Sequence, residues 1–412
     1  MELGQLSEQA RMDALPHGWQ YYTINQTLTL TNGVAFRPSE WKTHGTPIIR
    51  IQNLNDDNSP YNYYDGPISE KCRIRAGDIL FAWSGTTGTS FGARIWTGPN
   101  AVLNQHIFKV TPDKTKVTPY YSFLVLQNVQ KEIERQAHGF KSSFVHVKKS
   151  DLVKVCLPIP PIPEQRSIGK ALSEVDQLIA NLGRLLEKKQ AIKQGMVQRL
   201  LTGRTRLPTF TDEWCEIALG DIAIIDPEAL PSGTNPETLL DYISLEDVER
   251  GELLGHTQVR FTSAPSRARR VLRDSDVLFG TVRPNLQSHA LYQGGLKRPI
   301  ASTGFSIVRA VSGRSDPLFL FHLLMSHLTV RQVDRIIAGS NYPAVSSGDV
   351  RRLTFEVPTI VEQQAIGAKL ADCDAELSLL KARLTKARDV KQGMMQQLLT
   401  GRTRLPVQES AA

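Results

Sequence analysis

The chain reads as an α+β protein with an internal duplication: two mixed α/β domains separated by two long helices that pair with each other. Three observations predict this. Lys193 to Pro208 reads KQGMVQRLLTGRTRLP and Lys391 to Pro406 reads KQGMMQQLLTGRTRLP, an offset of 391 − 193 = 198. At the same offset Glu164-Gln165 matches Glu362-Gln363, Ile168-Gly169 matches Ile366-Gly367, and Asp176 matches Asp374. Each copy carries a long apolar stripe, whereas the stretches before the stripes have the texture of short strands. Such a period lies far outside the roughly 20 to 50 residues of solenoid arrays, so the chain is a duplicated two-part module.

Taken in order, residues 1–162 form the first domain, 163–207 a central helix, 208–360 the second domain, 361–406 a C-terminal helix and 407–412 a tail. Both domains are rich in short apolar runs broken by Gly, Pro, Asn, Asp and Ser, such as Asp78-Ile79-Leu80-Phe81 and Asp276-Val277-Leu278-Phe279. That pattern predicts short strands with frequent turns, plus helices such as Tyr120 to Gln136 and Pro317 to Ile337. In the central helix Ile168, Leu172, Val175, Ile179, Leu182 and Leu186 recur at steps of four and three, the spacing of a coiled-coil seam. Lys189 interrupts the stripe, which resumes out of phase at Ile192, Met196 and Leu200 and so predicts a stutter. The second copy runs Ile366, Leu370, Cys373, Leu377, Leu380, Leu384 and Ala387, then Val390, Met394 and Leu398. Prolines precede each helix, and a Thr-Gly pair closes it, the glycine suiting a left-handed C-terminal turn.

Composition excludes several classes. The chain has 412 residues, 41% hydrophobic and 22% charged, which is ordinary globular usage. The first residues lack the basic start and apolar core of a secretory signal, and no run approaches about 18 apolar residues, so a soluble cytoplasmic protein is expected. Cys72, Cys156, Cys215 and Cys373 are scattered, with no disulfide framework or zinc spacing. A net charge of +8 favours a polyanionic partner. The glycine-rich stretch Gly85 to Gly92 lacks the lysine of a phosphate-binding loop, and no dinucleotide fingerprint or base-methylation signature occurs. Asp113 with Glu187-Lys188-Lys189 loosely imitates a nuclease pattern, but the second element lies on a helix face. No catalytic residue, metal ligand or cofactor site is expected.

Two diverged domains, two similar helices, proline-rich stretches leading into Glu-Gln, and a Leu-Leu-Thr-Gly ending together resemble the DNA specificity subunit of a type I restriction-modification enzyme. The motifs are Leu157-Pro-Ile-Pro-Pro-Ile-Pro-Glu-Gln165, the weaker Val357-Pro-Thr-Ile-Val-Glu-Gln363, and Leu-Leu-Thr-Gly at Leu200 to Gly203 and Leu398 to Gly401. The resemblance implies two target-recognition domains held by an antiparallel, pseudo-twofold pair of helices. Each domain would read half of a split, asymmetric DNA site. It implies two modification (methyltransferase) subunits and ATP-dependent restriction subunits as partners, with S-adenosylmethionine, ATP and Mg on those partners and none on this chain. Helices of about 50 Å would separate two half-sites by one to one and a half turns of DNA.

Base reading favours Arg, Lys, Asn and Gln, with Ser, Thr and Lys anchoring phosphates. The DNA-binding candidates in the first domain are Ser84, Thr86, Thr87, Asn104, Gln105, His106, Lys141, Ser142, Ser143 and His146. In the second they are Arg283, Asn285, Gln287, Ser288, Thr303, Ser340, Asn341, Tyr342, Ser346 and Ser347. Arg267, Arg269, Arg270 and Arg273 form a basic cluster able to track phosphates. Two other readings compete: a structural adaptor joining protein partners, and a self-contained methylase or nuclease with an unrecognised site.

Overall fold

In a computed structural model of the chain the described residues are 15–56, 58–138, 144–338 and 343–406, without the side chains of 136–138. They divide into two compact units, Met1–Asn181 with Leu384–Ala412 and Leu182–Arg383, a division that cuts both long helices.

The first unit is built on an antiparallel four-stranded sheet in the order Leu28–Asn32, Ile107–Pro112, Ile79–Ala82, Gly92–Ile95. A second four-stranded sheet runs Asn62–Tyr64, Thr46–Ile49, Ala101–Leu103, Arg73–Ile74. Ile79 and Phe81 face the core formed with α1 (Pro119–His138), which contributes Tyr121, Leu124 and Ile133. Leu80 and Ala82 face the other way, onto Ile49 and Leu103. A strand buried on both faces needs no polar alternation, which is why this run is uniformly apolar. Gly92 (φ 109°) lets α1 approach, since a Cβ there would lie 1.9 Å from Cδ of Gln130. Gln130 satisfies the adjacent backbone by accepting from Ala93 N (3.0 Å) and donating to Phe91 O (3.0 Å).

The second unit repeats the plan. Its antiparallel sheet runs Ala223–Ile225, Phe305–Ala310, Val277–Gly280, His289–Leu291, and its mixed sheet runs Thr257–Arg260, Leu239–Ile243, Pro299–Ser302, Ala268–Val271. Val277 and Phe279 belong to one core cluster and Leu278 to another, as in the first unit. The aspartate before each central strand has the same local task. Asp78 accepts from Arg75 N at 2.8 Å and Asp276 from Arg273 N at 2.7 Å, closing the turn that starts the strand. The helix expected over 317–337 is two, α3 (Pro317–Leu324) and α4 (His327–Ile337). Ser326 breaks it: its hydroxyl accepts from Leu328 N and caps the new helix.

The long helices are α2 (Ile162–Leu200) and α5 (Ile360–Leu398), 39 residues each. Each is followed by a glycine in the left-handed region, Gly203 (φ 64°) and Gly401 (φ 73°). In the first unit the start of α2 shares a core with the end of α5, where Ile168 and Leu172 join Met395 and Leu398. In the second unit Leu200 and Leu201 join Ile366 and Leu370. Start meets end in both units, so the helices pair antiparallel.

The expected stutter is absent. The four-three spacing continues unbroken through Lys189, Lys193, Met196 and Leu200, and through Lys391, Met394 and Leu398. Ile192 and Val390, expected on the seam, are 46% and 45% exposed. The lysines take seam positions because each has a carboxylate across the pair: Lys391 Nζ lies 2.7 Å from Asp176, and Lys193 binds Asp374 in the same way. Their methylene stems fill the seam while the ammonium finds charge.

The duplicated motifs form a reciprocal latch. Glu164, buried, receives both guanidinium arms of Arg404 (3.0 and 2.7 Å) and Trp19 Nε1 (3.1 Å). In the second unit buried Glu362 receives Arg206 through two bonds of 2.6 Å. The neighbouring glutamines bind backbone: Gln165 accepts from Thr118 N and donates to Lys116 O and Pro160 O, each at 2.8 Å. Gln363 repeats this with Asp316, Arg314 and Pro358. Thus Glu-Gln starts a helix by fastening the tail of the other helix with one side chain and its own domain with the next.

Candidate nucleic-acid interface

In the first unit the candidate residues gather around one half-buried ring. Ser84–Thr86 and Phe144–His146 form a separate two-stranded antiparallel ribbon in which Phe144 faces Thr86 and His146 faces Ser84. Trp83, just before the ribbon, lies 5.2 Å from the His106 ring and 4.9 Å from His146. Its Nε1 donates to Gln105 O (3.2 Å), its backbone N to His106 O (3.3 Å), and its carbonyl accepts from Val147 N (2.9 Å). The amide nitrogen of Gln105 and His106 Nε2 are 3.2 Å apart, so the exposed Gln105 side chain is held rather than free to rotate. Ser84, Thr86, Gln105, His106 and His146 are therefore one cluster.

Within that cluster Thr86, Gln105 and His146 are exposed and Thr87, Asn104 and His106 half-buried. Ser84 is a correction. It is 6% exposed, covered although it lies directly opposite His146 on the same face of the ribbon, and does not present its hydroxyl to solvent. Lys141, Ser142 and Ser143 lie outside the described residues. Sequence reasoning missed Trp83 and Phe144. The signal was present: Phe144, Val145, His146, Val147 and Lys148 alternate, and an outward His146 puts Phe144 on the same face.

The second unit reuses the scaffold with different chemistry. Thr281 takes the place of Trp83: its N donates to Gly304 O (2.8 Å), and its carbonyl accepts from Val345 N (3.0 Å). Among the described residues one bridge, Val282 with Ala344, stands in place of the ribbon, followed by a short turn over Pro284–Leu286. Arg283 (φ 48°) and Gln287 (φ 54°) flank the turn in the left-handed region, a costly conformation for side-chain-bearing residues. Arg283 N donates to Pro343 O (2.8 Å), fixing the turn and leaving Arg283 and Asn285 exposed. Thr303 is also exposed, at the position Gln105 holds in the first unit.

Other candidates are engaged in the fold. Gln287 donates to Met325 O (3.0 Å), and half-buried Ser288 faces a close approach to Gly280, whose Cβ would lie 2.5 Å from Ser288 O. Ser346 caps the turn Ser347–Arg351 by accepting from Asp349 N (3.1 Å), and the Ser347 hydroxyl binds Asp226 and Ser306. Ser340, Asn341 and Tyr342 lie outside the described residues.

The basic cluster is also engaged in contacts within the fold, although Arg267 and Arg273 stay exposed. Arg270 pairs with Asp226 (2.9 Å) and Arg273 with Glu228 (2.7 Å), while Arg269 lies over the Phe261 ring at 5.3 Å and Arg267 donates to Tyr242 Oη at 3.2 Å. Arg309 holds buried Asp276 through two bonds of 2.7 Å and reaches Glu228 at 2.5 Å. That guanidinium holds the Glu228 carboxyl below its usual range, and Asp276 raises the Arg309 pKa in return. His289 stacks on Phe279 at 4.1 Å and accepts from Gly280 N (2.9 Å), with burial pushing its pKa down to about 3. It is a neutral core residue. Among the described residues no cluster of three or more His, Cys, Asp or Glu could hold a metal, and no helix is long and apolar enough to cross a membrane.

The profile of the Type I restriction modification DNA specificity domain matches residues 16–193. A putative type I restriction enzyme MjaX specificity subunit from Methanocaldococcus jannaschii is 24% identical, over 95% of each chain. The MjaVIII specificity subunit of the same organism is 22% identical over 81% of this chain and 80% of its own. The crystal structure of the type I restriction-modification S subunit from M. genitalium shares the fold, with a TM-score of 0.60 at 16% identity over 92% of this chain and 96% of that one. With its duplicated frame, its Glu-Gln and Leu-Leu-Thr-Gly motifs, and relatives that match it nearly end to end, the chain is similar over almost its whole length to type I restriction-modification DNA specificity subunits.

Proposed function

We propose that the chain is a noncatalytic DNA-recognition subunit. The first unit reads one part of a split, asymmetric site and the second unit the other. The observation that carries this is the contrast between the corresponding faces of the two units. One scaffold presents Thr86, Gln105 and His146 in the first unit but Arg283, Asn285 and Thr303 in the second, side chains able to bond base edges in different patterns. Two unlike reading faces on one repeated frame suit a bipartite, non-palindromic sequence. The relatives named as specificity subunits support a shared enzyme in which methyl transfer and cleavage belong to other chains. Two modification subunits would dock on the helical frame and use S-adenosylmethionine, while restriction subunits would use ATP and Mg.

The test is to map methylated positions in DNA from cells carrying this chain with its cognate modification subunit. A motif of two unlike blocks separated by a fixed unread gap supports the reading. A contiguous palindrome, or methylation by the purified chain alone, overturns it. Gel shifts with no sequence preference would favour an adaptor.

A further inference from the structure

Phe144 is the only exposed Phe, Tyr or Trp among the described residues, 58% exposed on the outer face of the first unit's ribbon. Its position is not that of a ring left loose on a loop. Val145 (2% exposed) and Val147 (8%) on the same segment are buried in the main core, and Val147 N bonds Trp83 O. The register sets Phe144 directly opposite Thr86. Two residues along, His146 meets Trp83 edge-on at 80°. The ribbon is thus anchored from beneath by alternate valines and from one end by an aromatic brace, and its outer face carries Thr86, Phe144 and His146.

A two-stranded ribbon is one of the two backbone forms that the major groove of B-DNA admits. Strand spacing of about 4.8 Å leaves room for it in a groove about 12 Å wide. Within that groove the one apolar feature of a base pair is the 5-methyl group of thymine, and phenylalanine is among the side chains that contact it. The surroundings favour this over a protein partner. A protein-docking face needs a contiguous apolar patch of several hundred Å², whereas the outward neighbours of Phe144 are Thr86, His146 and Lys148, each able to bond a base edge or a phosphate.

The geometry points to Phe144 as a specificity-determining residue that reads a thymine methyl group in the half-site of the first unit, with the Ser84–Thr86/Phe144–His146 ribbon lying in the major groove. Among the described residues the second unit has no such ribbon, only the Val282–Ala344 bridge. The thymine requirement therefore belongs to one half-site. This rests on the DNA-recognition reading above.

The experiment uses the full chain assembled with its modification subunit and duplexes carrying the mapped motif. Each thymine in both blocks is replaced in turn by deoxyuridine, which removes only the methyl. The expected result is one position, in one block only, at which this replacement weakens wild-type binding about fourfold, the value of one buried methyl group. Phe144→Ala binds the thymine and deoxyuridine duplexes equally, while Phe144→Leu retains part of the preference. All three proteins keep the same affinity ranking for changes in the other block. The inference is overturned by equal deoxyuridine penalties in wild type and Phe144→Ala, by a motif without thymine in either block, or by Phe144→Ala weakening unrelated duplexes as much as the motif. A complex with no preference for any motif would overturn the DNA-recognition reading instead.

Discussion

Arg309→Met should destabilise the second unit by about 3 kcal/mol. Asp276 is fully buried, with a side chain 1% exposed, and its carboxylate is held by two arms of Arg309 and by Arg273 N. Removing one partner of a buried pair costs roughly 3–5 kcal/mol, because the remaining charge has neither water nor counterion. The surviving backbone bond moderates the loss toward the lower figure. The duplication supplies an internal control. In the first unit the equivalent Asp78 pairs with Lys109 at 2.9 Å, but those side chains are 28% and 22% exposed. Water can replace that partner, so Lys109→Met should cost about 1 kcal/mol or less. Urea denaturation of the full chain, followed by hydrogen exchange resolved to each unit, measures both. Adding Asp276→Asn to Arg309→Met should recover at least half the loss by removing the stranded charge. A loss below about 1 kcal/mol for Arg309→Met, or no recovery in the double variant, would refute this account of the buried pair.

Three further outcomes are expected. Truncation after Thr400 removes Arg404 and leaves buried Glu164 with Trp19 alone, so amide protection should fall around residues 162–172 and stay unchanged around residues 360–370. Ile192→Gln should stay within about 0.5 kcal/mol of wild type, since the side chain faces solvent, whereas Leu200→Ala should cost about 2–5 kcal/mol in the same denaturation series. His322 is 3% exposed, near Asp374 and Lys193, and burial pushes its pKa down to about 4. Unfolding restores a value near 6.5, so the unfolded chain binds a proton that the native chain refuses. Its contribution is complete above about pH 6.5 and is lost as pH falls toward 4, and His322→Phe should flatten that part of a melting-temperature profile.

Much of the frame was legible because its signals are local and occur twice. The helix limits follow from prolines and a Thr-Gly pair, and the central strands from apolar runs after an aspartate. The seam was misread at Lys189 because hydrophobicity alone treats lysine as an interruption. The carboxylates that admit Lys193 and Lys391 lie on the other helix, about 180 and 215 residues away. The reading faces were less legible for a related reason. Polar type suggests Ser84 and Ser347 as readily as Thr86 and Asn285, but only tertiary packing separates a serine bonded to Asp226 from an asparagine on an exposed turn. The search for polar side chains also passed over Phe144, which strand alternation places beside His146.

The reciprocal latch has a consequence for how such a gene can change. Arg206 from the first sequence copy fastens Glu362 from the second, and Arg404 from the second fastens Glu164 from the first. A substitution in either tail is therefore felt at the start of the opposite helix, and compensation must arise in the other half of the gene. That mutual dependence restrains the two frames from drifting apart. The latch residues lie apart from the reading faces that carry Gln105 and Thr303, so those faces can be rewritten independently, and a lineage can acquire a new target without rebuilding the support.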